Sequence, residues 1–128
     1  MRFLSTRIHA FIDYISAVSF VALPWIAGFN DVIAATWIVI AVGFMILTMS
    51  LFTNYEGGIM AAVPMKIHLI VDIITGITVA CSPWLFGFSD KVYLPFLIFG
   101  LFEALAALAT SPDSKAALPE NLDEQKVV

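Results

Sequence analysis

The hydrophobic and polar positions of the chain divide it into four long apolar segments separated by short polar ones. The apolar segments cover about residues 8–27, 32–52, 67–86 and 92–109. A helix needs about 20 mostly apolar residues to cross the hydrocarbon core of a membrane. Because no water is available there to pair with open backbone groups, such a segment must be helical. The pattern therefore predicts an all-α membrane protein with four transmembrane helices.

The polar connections between these segments are of two kinds. Residues 28–31 and 87–90 are tight turns, and each therefore joins its flanking segments as an antiparallel helical hairpin. Residues 53–65 form a longer loop between the two hairpins. After the last apolar segment the chain becomes polar, and residues 110–128 are predicted to be a disordered tail. Residues 1–109 are thus predicted to form the transmembrane domain.

Composition agrees with a membrane protein. The chain is 61% hydrophobic and 12% charged, whereas soluble domains average roughly 45–50% and 25%. The single cysteine, Cys81, excludes an internal disulfide and a multi-cysteine metal site. The sequence has no basic patch or nucleic-acid motif, so we expect no nucleic-acid partner. It also lacks the short motifs of serine hydrolases, zinc proteases and phosphate-binding loops, so we expect no enzyme activity.

The two hairpins are copies of one sequence, covering about residues 7–52 and 66–109. At an offset of 59 residues the matching pairs are His9 and His68, Asp13 and Asp72, Pro24 and Pro83, Trp25 and Trp84, Gly28 and Gly87, and Phe29 and Phe88. Beyond the turn, a shortening of two residues aligns Thr53 with Thr110. Because two helices separate the copies, both hairpins enter the membrane from the same side. The repeat therefore predicts a four-helix bundle with a pseudo-twofold axis along the membrane normal.

The second copy carries Ser82-Pro83-Trp84, followed by a Gly-Phe pair at residues 87–88. This doubled hairpin resembles the SPW repeat family of prokaryotic integral membrane proteins. The first copy departs from the family pattern, with Leu23 in place of the serine, so a serine hydroxyl cannot have the same role in both copies. The resemblance implies a multi-pass protein of a bacterial or archaeal inner membrane. The resemblance does not indicate which biochemical activity the protein has.

The positive charges predict the orientation in the membrane. The two turns together hold only Lys91, whereas the other Lys and Arg residues lie at the opposite side, at Arg2, Arg7, Lys66, Lys115 and Lys126. Cytoplasmic segments carry the excess of Lys and Arg, so both termini are predicted to be cytoplasmic.

The prolines and tryptophans of the repeat then fall near the outer membrane surface. We expect Pro24 and Pro83 to end helices and the indole rings of Trp25 and Trp84 to anchor them at the interface. A hinge in an outer gate is an alternative role for the prolines. Each proline frees a helix carbonyl, and Ser82 or water can satisfy it.

Five ionisable residues lie at a similar depth inside the predicted spans: His9, Asp13, His68, Asp72 and Glu103. A charged group at the centre of a span costs about 2.5–3.5 kcal/mol, so such residues commonly face the protein interior. In both copies the histidine and the aspartate are four residues apart and share one helix face. Arg7 and Lys66 are near enough in sequence to assist the acids.

Small residues follow the aspartates on the same faces: Ser16, Ala17, Thr75 and Gly76. Small residues allow close helix approach in membranes, so we predict that the first and third helices pack directly against each other through these faces. A second small-residue pattern, Gly100-x-x-x-Ala104, is predicted to support association into a homo-oligomer.

Three functions are compatible with this polar cluster. The leading hypothesis is a structural or accessory membrane protein in which the cluster holds the repeats together. The first alternative is a proton-linked channel or transporter subunit, although no continuous polar path is visible in the sequence. The second alternative is a haem- or metal-binding protein that uses His9 and His68 as ligands. The sequence does not identify a cofactor.

Overall fold

The computed structural model describes residues 2–113, and within this range it contains four helices and no strand. The helices are α1 (Thr6–Ile26), α2 (Ile33–Phe52), α3 (Met65–Leu85) and α4 (Leu94–Ala109). All four predicted helices are confirmed, with bounds within two residues of those expected. Most of the predicted disordered tail, residues 114–128, lies outside the described residues.

Helix α4 is shorter than expected. Helices α1, α2 and α3 are long and apolar enough to cross a membrane, whereas α4 has 16 residues, or about 24 Å at 1.5 Å per residue. Its start is limited by Pro95, which has no N–H. A helix beginning at Val92 would need that missing N–H to bond the carbonyl of Lys91, so the helix begins at Leu94 instead.

Glycine and alanine residues bring the two helices of each hairpin into close contact. A Cβ atom added at Gly76 of α3 would lie 2.5 Å from the carbonyl oxygen of Gly100 in α4, and one at Gly43 of α2 would lie 2.8 Å from the carbonyl oxygen of Ala17 in α1. The closest backbone contacts lie within α1–α2 and α3–α4, and α2 and α3 approach each other much less. The first and third helices therefore meet through their His and Asp side chains, as predicted, but Ala17 and Gly76 pack within the hairpins, so the predicted role of these two small residues is wrong.

The same contact reassigns the second small-residue pattern. Both Gly100 and Ala104 face Gly76 across the α3–α4 contact. Gly100-x-x-x-Ala104 is therefore buried inside the hairpin, where it cannot serve as the predicted oligomer face. The prediction failed because a small-x-x-x-small motif looks the same in the sequence whether the helix that packs on it belongs to the same chain or to another.

The repeat signature forms the end of the first helix in each hairpin. Gly28 has a φ of 71°, and the N–H of Phe29 donates a 2.8 Å hydrogen bond back to the carbonyl of Pro24. The second copy repeats this geometry at Gly87, which also has a φ of 71°. This is a Schellman motif, in which a residue with left-handed backbone conformation ends the helix. The pattern Pro-Trp-x-x-Gly-Phe thus encodes a helix terminus.

The serine of the signature also has a specific contact. The Ser82 hydroxyl donates a 2.7 Å hydrogen bond to the carbonyl of Val79, which Pro83 leaves without a helix donor. The expected role of Ser82 is confirmed. Leu23 occupies the corresponding position of the first copy and has no hydroxyl to offer.

Aromatic side chains fill the bundle at the end that carries the two tight turns, here called the turn side. The rings of Phe29 and Phe88 pack against Phe96, with centroid distances of 5.5 and 5.1 Å. Phe20 and Val79 continue this buried apolar core toward the middle of the bundle. The centre of the bundle is therefore apolar from the turn side to its middle.

The opposite end, called the termini side, is joined by two equivalent backbone pairings. Ser111 N–H donates to the carbonyl of Leu4 at 3.0 Å, and Asn54 N–H donates to the carbonyl of Val63 at 2.8 Å. Each pairing connects the residues that follow one hairpin to those that precede the other. Thr110, expected to begin the tail, is consequently buried.

Candidate functional site

Four of the five predicted cluster residues meet in one buried group at the termini side. This group, the His/Asp tetrad, consists of His9 and Asp13 from α1 and His68 and Asp72 from α3. Their exposed fractions are at most 6%. The helical spacing of four residues places each histidine beside the aspartate of its own helix. The side chains then reach across the gap between α1 and α3.

Both imidazole Nε2 atoms point to both carboxylates. His9 Nε2 lies 3.2 Å from Asp13 Oδ1 and 3.0 Å from Asp72 Oδ2. His68 Nε2 lies 3.1 Å from Asp13 Oδ2 and 3.0 Å from Asp72 Oδ2. Every histidine therefore contacts one aspartate of its own hairpin and one of the other.

The other ring nitrogen of each histidine contacts a threonine of the other hairpin. His9 Nδ1 lies 2.9 Å from Thr110 Oγ1, and His68 Nδ1 lies 2.6 Å from Thr53 Oγ1. Both threonine hydroxyls donate their single hydrogen to a helix carbonyl, at 2.7 and 2.6 Å. Each hydroxyl must therefore accept from the ring, which assigns a proton to both Nδ1 atoms.

This assignment determines what the Nε2 atoms can do. A ring protonated only at Nδ1 has a lone pair at Nε2, and that lone pair would face carboxylate oxygens at 3.0–3.2 Å. Two electron-rich groups at this distance repel each other unless positive charge lies between them. The tetrad therefore requires either a proton between each Nε2 atom and a facing carboxylate oxygen or a cation bound between the four side chains.

Among the described residues, side chains outside the tetrad donate hydrogen bonds to Asp13 and not to Asp72. Ser50 and Tyr55 donate to Asp13 Oδ2 at 3.1 and 2.9 Å. Burial, together with the nearby charge of Asp13, raises the pKa of the Tyr55 phenol, so the hydroxyl keeps its proton for this hydrogen bond. Tyr55 belongs to the 53–65 loop, which thus covers one side of the tetrad.

Several buried polar atoms have no hydrogen-bond partner among the described residues: Asp13 Oδ1, His68 Nε2 and Glu103 Oε1. The first two lie within the tetrad at ion-pair distance, yet none of their contacts has hydrogen-bond geometry. Unpaired polar atoms are costly in a buried site, so their presence indicates that a further group belongs there.

The remaining predicted residues contribute no donor atom to the group of four. Glu103 is buried on α4 near Ser16, outside the group of four. Arg7 and Lys66 are exposed, and every ion pair within residues 2–113 joins a histidine to an aspartate of the tetrad. The expected assistance from Arg7 and Lys66 is therefore wrong, because long cationic side chains at a helix end extend toward water.

Four contacting residues were not predicted as part of the site: Ser50, Thr53, Tyr55 and Thr110. The repeat alignment already matched Thr53 to Thr110, which was a usable signal for the two threonines. Ser50 has no polar counterpart in the second copy, and no pattern in the sequence pointed to Tyr55.

The ring arrangement does not accommodate a haem between the histidines. The two imidazole centroids are 5.4 Å apart with an interplanar angle of 77°. Asp72 Oδ2 lies 3.0 Å from both Nε2 atoms and fills the space between them. A porphyrin plane would need this space, so the geometry does not fit a haem held between His9 and His68.

Comparison with known proteins identifies one family. A family model described as the SPW repeat domain matches residues 7–110. The match includes both hairpins, the whole tetrad and both threonines that contact it. No curated protein and no solved structure shows a significant match to the chain.

Proposed function

The chain belongs to the SPW repeat domain family, and from this premise we propose that it is a structural or accessory protein of a prokaryotic cytoplasmic membrane. In this function the His/Asp tetrad holds the two hairpins in one fixed arrangement. The apolar helices support embedding in a lipid bilayer.

One observation carries the proposal: every side chain of the tetrad contacts the other hairpin. His9 of the first hairpin contacts Asp72 and Thr110 of the second, and His68 of the second contacts Asp13 and Thr53 of the first. Backbone contact between α1 and α3 is slight, so these polar side chains make the contact between the two helices, while Phe29 packs against Phe96 across the hairpins at the turn side. Polar side chains between helices have this role in many membrane proteins.

Burial supports a role without enzyme activity. The tetrad residues are at most 6% exposed, so a substrate has no route to them in this conformation. A catalytic centre needs an open position for its substrate, whereas a structural centre is closed.

The distribution of positive charge supports cytoplasmic termini. Arg2, Arg7 and Lys66 lie at the termini side, and Lys91 is the only basic residue in the two turns. The termini side, with its tetrad, therefore faces the cytoplasm in this proposal.

A proton-linked channel or transporter is the second candidate, and Glu103 favours it. Its Oε1 atom is buried without a hydrogen-bond partner within the described range, and unpaired acids inside membranes often belong to proton pathways. The aromatic group of Phe29, Phe88 and Phe96 at the turn side argues for the structural role instead.

Replacing one acid of the tetrad tests the proposal. Asp13→Asn and Asp72→Asn each leave buried partner groups without their counter-charge, so we expect the free energy of unfolding to fall by about 3–5 kcal/mol. The measurement is unfolding in a mild detergent. The matched controls are Asp31→Asn and Asp90→Asn, which change the equivalent exposed acids of the two turns and should change stability by less than about 0.5 kcal/mol.

Proton flux into liposomes separates the two candidates. We expect the proton flux into liposomes that contain the wild-type protein to equal the flux into empty liposomes. The tetrad variants should give the same flux. Wild-type flux above the empty liposomes that is lost in Asp13→Asn or Asp72→Asn would support the transport function. Unchanged stability in both variants would overturn the structural function.

A further inference from the structure

The His–Asp contacts of the tetrad are close in length to the distances between neighbouring ligands of a tetrahedral metal ion. Zinc lies about 2.0–2.2 Å from nitrogen and oxygen ligands, so neighbouring ligands of a tetrahedral site are about 3.3 Å apart. The four His–Asp contacts measure 3.0–3.2 Å. One donor atom from every tetrad residue lies within 4.8 Å of all the others.

Each histidine has the hydrogen-bond arrangement that is typical of a metal ligand. A histidine that binds a metal through one ring nitrogen usually donates the other N–H to a fixed acceptor, which holds the ring and its tautomer. Thr110 and Thr53 are such acceptors for His9 and His68. Both Nε2 lone pairs consequently face the carboxylate oxygens of the tetrad at 3.0–3.2 Å.

The unpaired atoms provide independent support. Asp13 Oδ1 and His68 Nε2 are buried, aimed into the centre of the tetrad and without a hydrogen-bond partner in the described residues. A network held together by protons alone would leave both atoms unsatisfied. A cation between them would coordinate both.

Charge balance agrees with a divalent ion. Two carboxylates and two neutral imidazoles carry two negative charges, which one divalent cation cancels. A buried site with no net charge avoids the large cost of an uncompensated charge in a medium of low dielectric constant.

We propose that His9, Asp13, His68 and Asp72 bind one divalent transition-metal ion, for which Zn²⁺ is the best match. This inference rests on the proposed structural function and adds the ion that links the hairpins. Two nitrogen and two oxygen donors suit zinc, whereas Ca²⁺ and Mg²⁺ need six or more oxygen ligands. The four donors are all protein side chains, so the site is closed and structural.

Metal analysis of the intact protein tests the proposal. The full chain is purified in mild detergent with a tag that contains no histidine, and its metal content is measured by mass spectrometry. We expect one zinc ion per chain. Asp31→Asn/Asp90→Asn is the matched control, since it removes two repeat-related acids outside the tetrad, and it should keep the ion.

Two sets of variants relate the ion to its ligands. His9→Ala/His68→Ala should reduce bound zinc to background. Thr53→Val/Thr110→Val retains all four ligands but removes the acceptors of the Nδ1–H groups, and should weaken zinc affinity by about 10–100-fold. The threonine variant keeps the test valid if the histidine variant does not fold.

A chelation experiment on the wild-type protein provides a further measurement. Removal of metal should lower the thermal midpoint, and added Zn²⁺ should restore it. Co²⁺ in place of Zn²⁺ should give the visible absorption of a tetrahedral nitrogen–oxygen site.

The outcomes distinguish this inference from the proposed function. A folded wild-type protein without metal, whose midpoint does not change with Zn²⁺, would overturn the metal site. The structural function would survive that result if Asp13→Asn still destabilised the metal-free chain. Equal zinc content in the wild-type protein and the folded histidine variant would show adventitious binding and would also overturn the metal site.

Discussion

At the scale of single residues, the two threonines determine how the histidines can act. Thr53 and Thr110 each donate to a helix carbonyl and accept from a histidine of the other hairpin. A hydroxyl has only one hydrogen, so this pair of contacts leaves the histidine no choice of tautomer. The chemistry of the tetrad therefore depends on residues that carry no charge.

Removing one of these hydroxyls should destabilise the protein. Thr110→Val keeps the shape of the side chain but leaves the Nδ1–H of His9 buried without an acceptor. We expect the free energy of unfolding in detergent to fall by about 1–3 kcal/mol.

The control for this substitution is Thr78→Val in α3. Thr78 is exposed and donates to a carbonyl of its own helix at 2.7 Å, as Thr110 does, but contacts no histidine. Equal effects of the two substitutions would contradict the assigned role of Thr110.

At the scale of helices, backbone contact within each hairpin is closest where glycine is present. Gly76 lies against the backbone of α4 at Gly100 and Ala104. Close approach lets two helices gain van der Waals contact along their length, which drives helix association in a membrane. The hairpins are therefore the closely packed units, and the tetrad and the contact of Phe29 with Phe96 join them.

A single added methyl group should disturb the second hairpin. The Cβ atom of Gly76→Ala would lie 2.5 Å from the Gly100 carbonyl oxygen and 2.7 Å from the Ala104 nitrogen. Both are backbone atoms, so α3 and α4 must separate, and overpacking of this kind costs about 1–3 kcal/mol. Unfolding in detergent measures the change.

The matched control adds carbon atoms where space is available. Ala41→Val enlarges an exposed position of α2, so its free energy of unfolding should remain within about 0.5 kcal/mol of the wild type. Wild-type stability of Gly76→Ala would mean that α3 and α4 are not in close contact.

At the scale of the whole molecule, the bundle is polar at one end and aromatic at the other. The tetrad occupies the termini side, and Phe29, Phe88 and Phe96 fill the turn side. The pairings of Thr110 with Leu4 and of Thr53 with Val63 relate the two hairpins by the same pseudo-twofold axis. The two ends of the bundle therefore differ in chemistry, and the orientation in the membrane determines which of them faces the cytoplasm.

The proposed orientation predicts which residues are accessible from outside the cell. In a Cys81→Ser background, Asp31→Cys at the turn side should react with an impermeant maleimide in intact cells. Asp113→Cys at the termini side should react only after the membrane is opened, because positively charged segments stay in the cytoplasm. Both aspartates are exposed. The reverse labelling pattern would place the termini outside.

The sequence by itself determined the helices, the hairpins and the repeat. Each span follows from the transfer of about 20 apolar residues into lipid, which depends on a local stretch of chain. The tight turns and the Gly-Phe pairs at 28–29 and 87–88 act over a few residues. The depth of His9, Asp13, His68 and Asp72 followed from the same local counting, which is why these candidate site residues were found.

Only the tertiary structure decided which helix faces meet. Ala17 of α1 and Gly76 of α3 were predicted to lie between these helices, but they pack within the hairpins instead. A small residue has no preference among partners, so its contact is determined by how all four helices pack together. The same holds for Thr53, Thr110 and Tyr55, which are far from their histidine or aspartate partners in sequence. The tetrad exists because long-range packing brings two distant copies of one local pattern to a common centre.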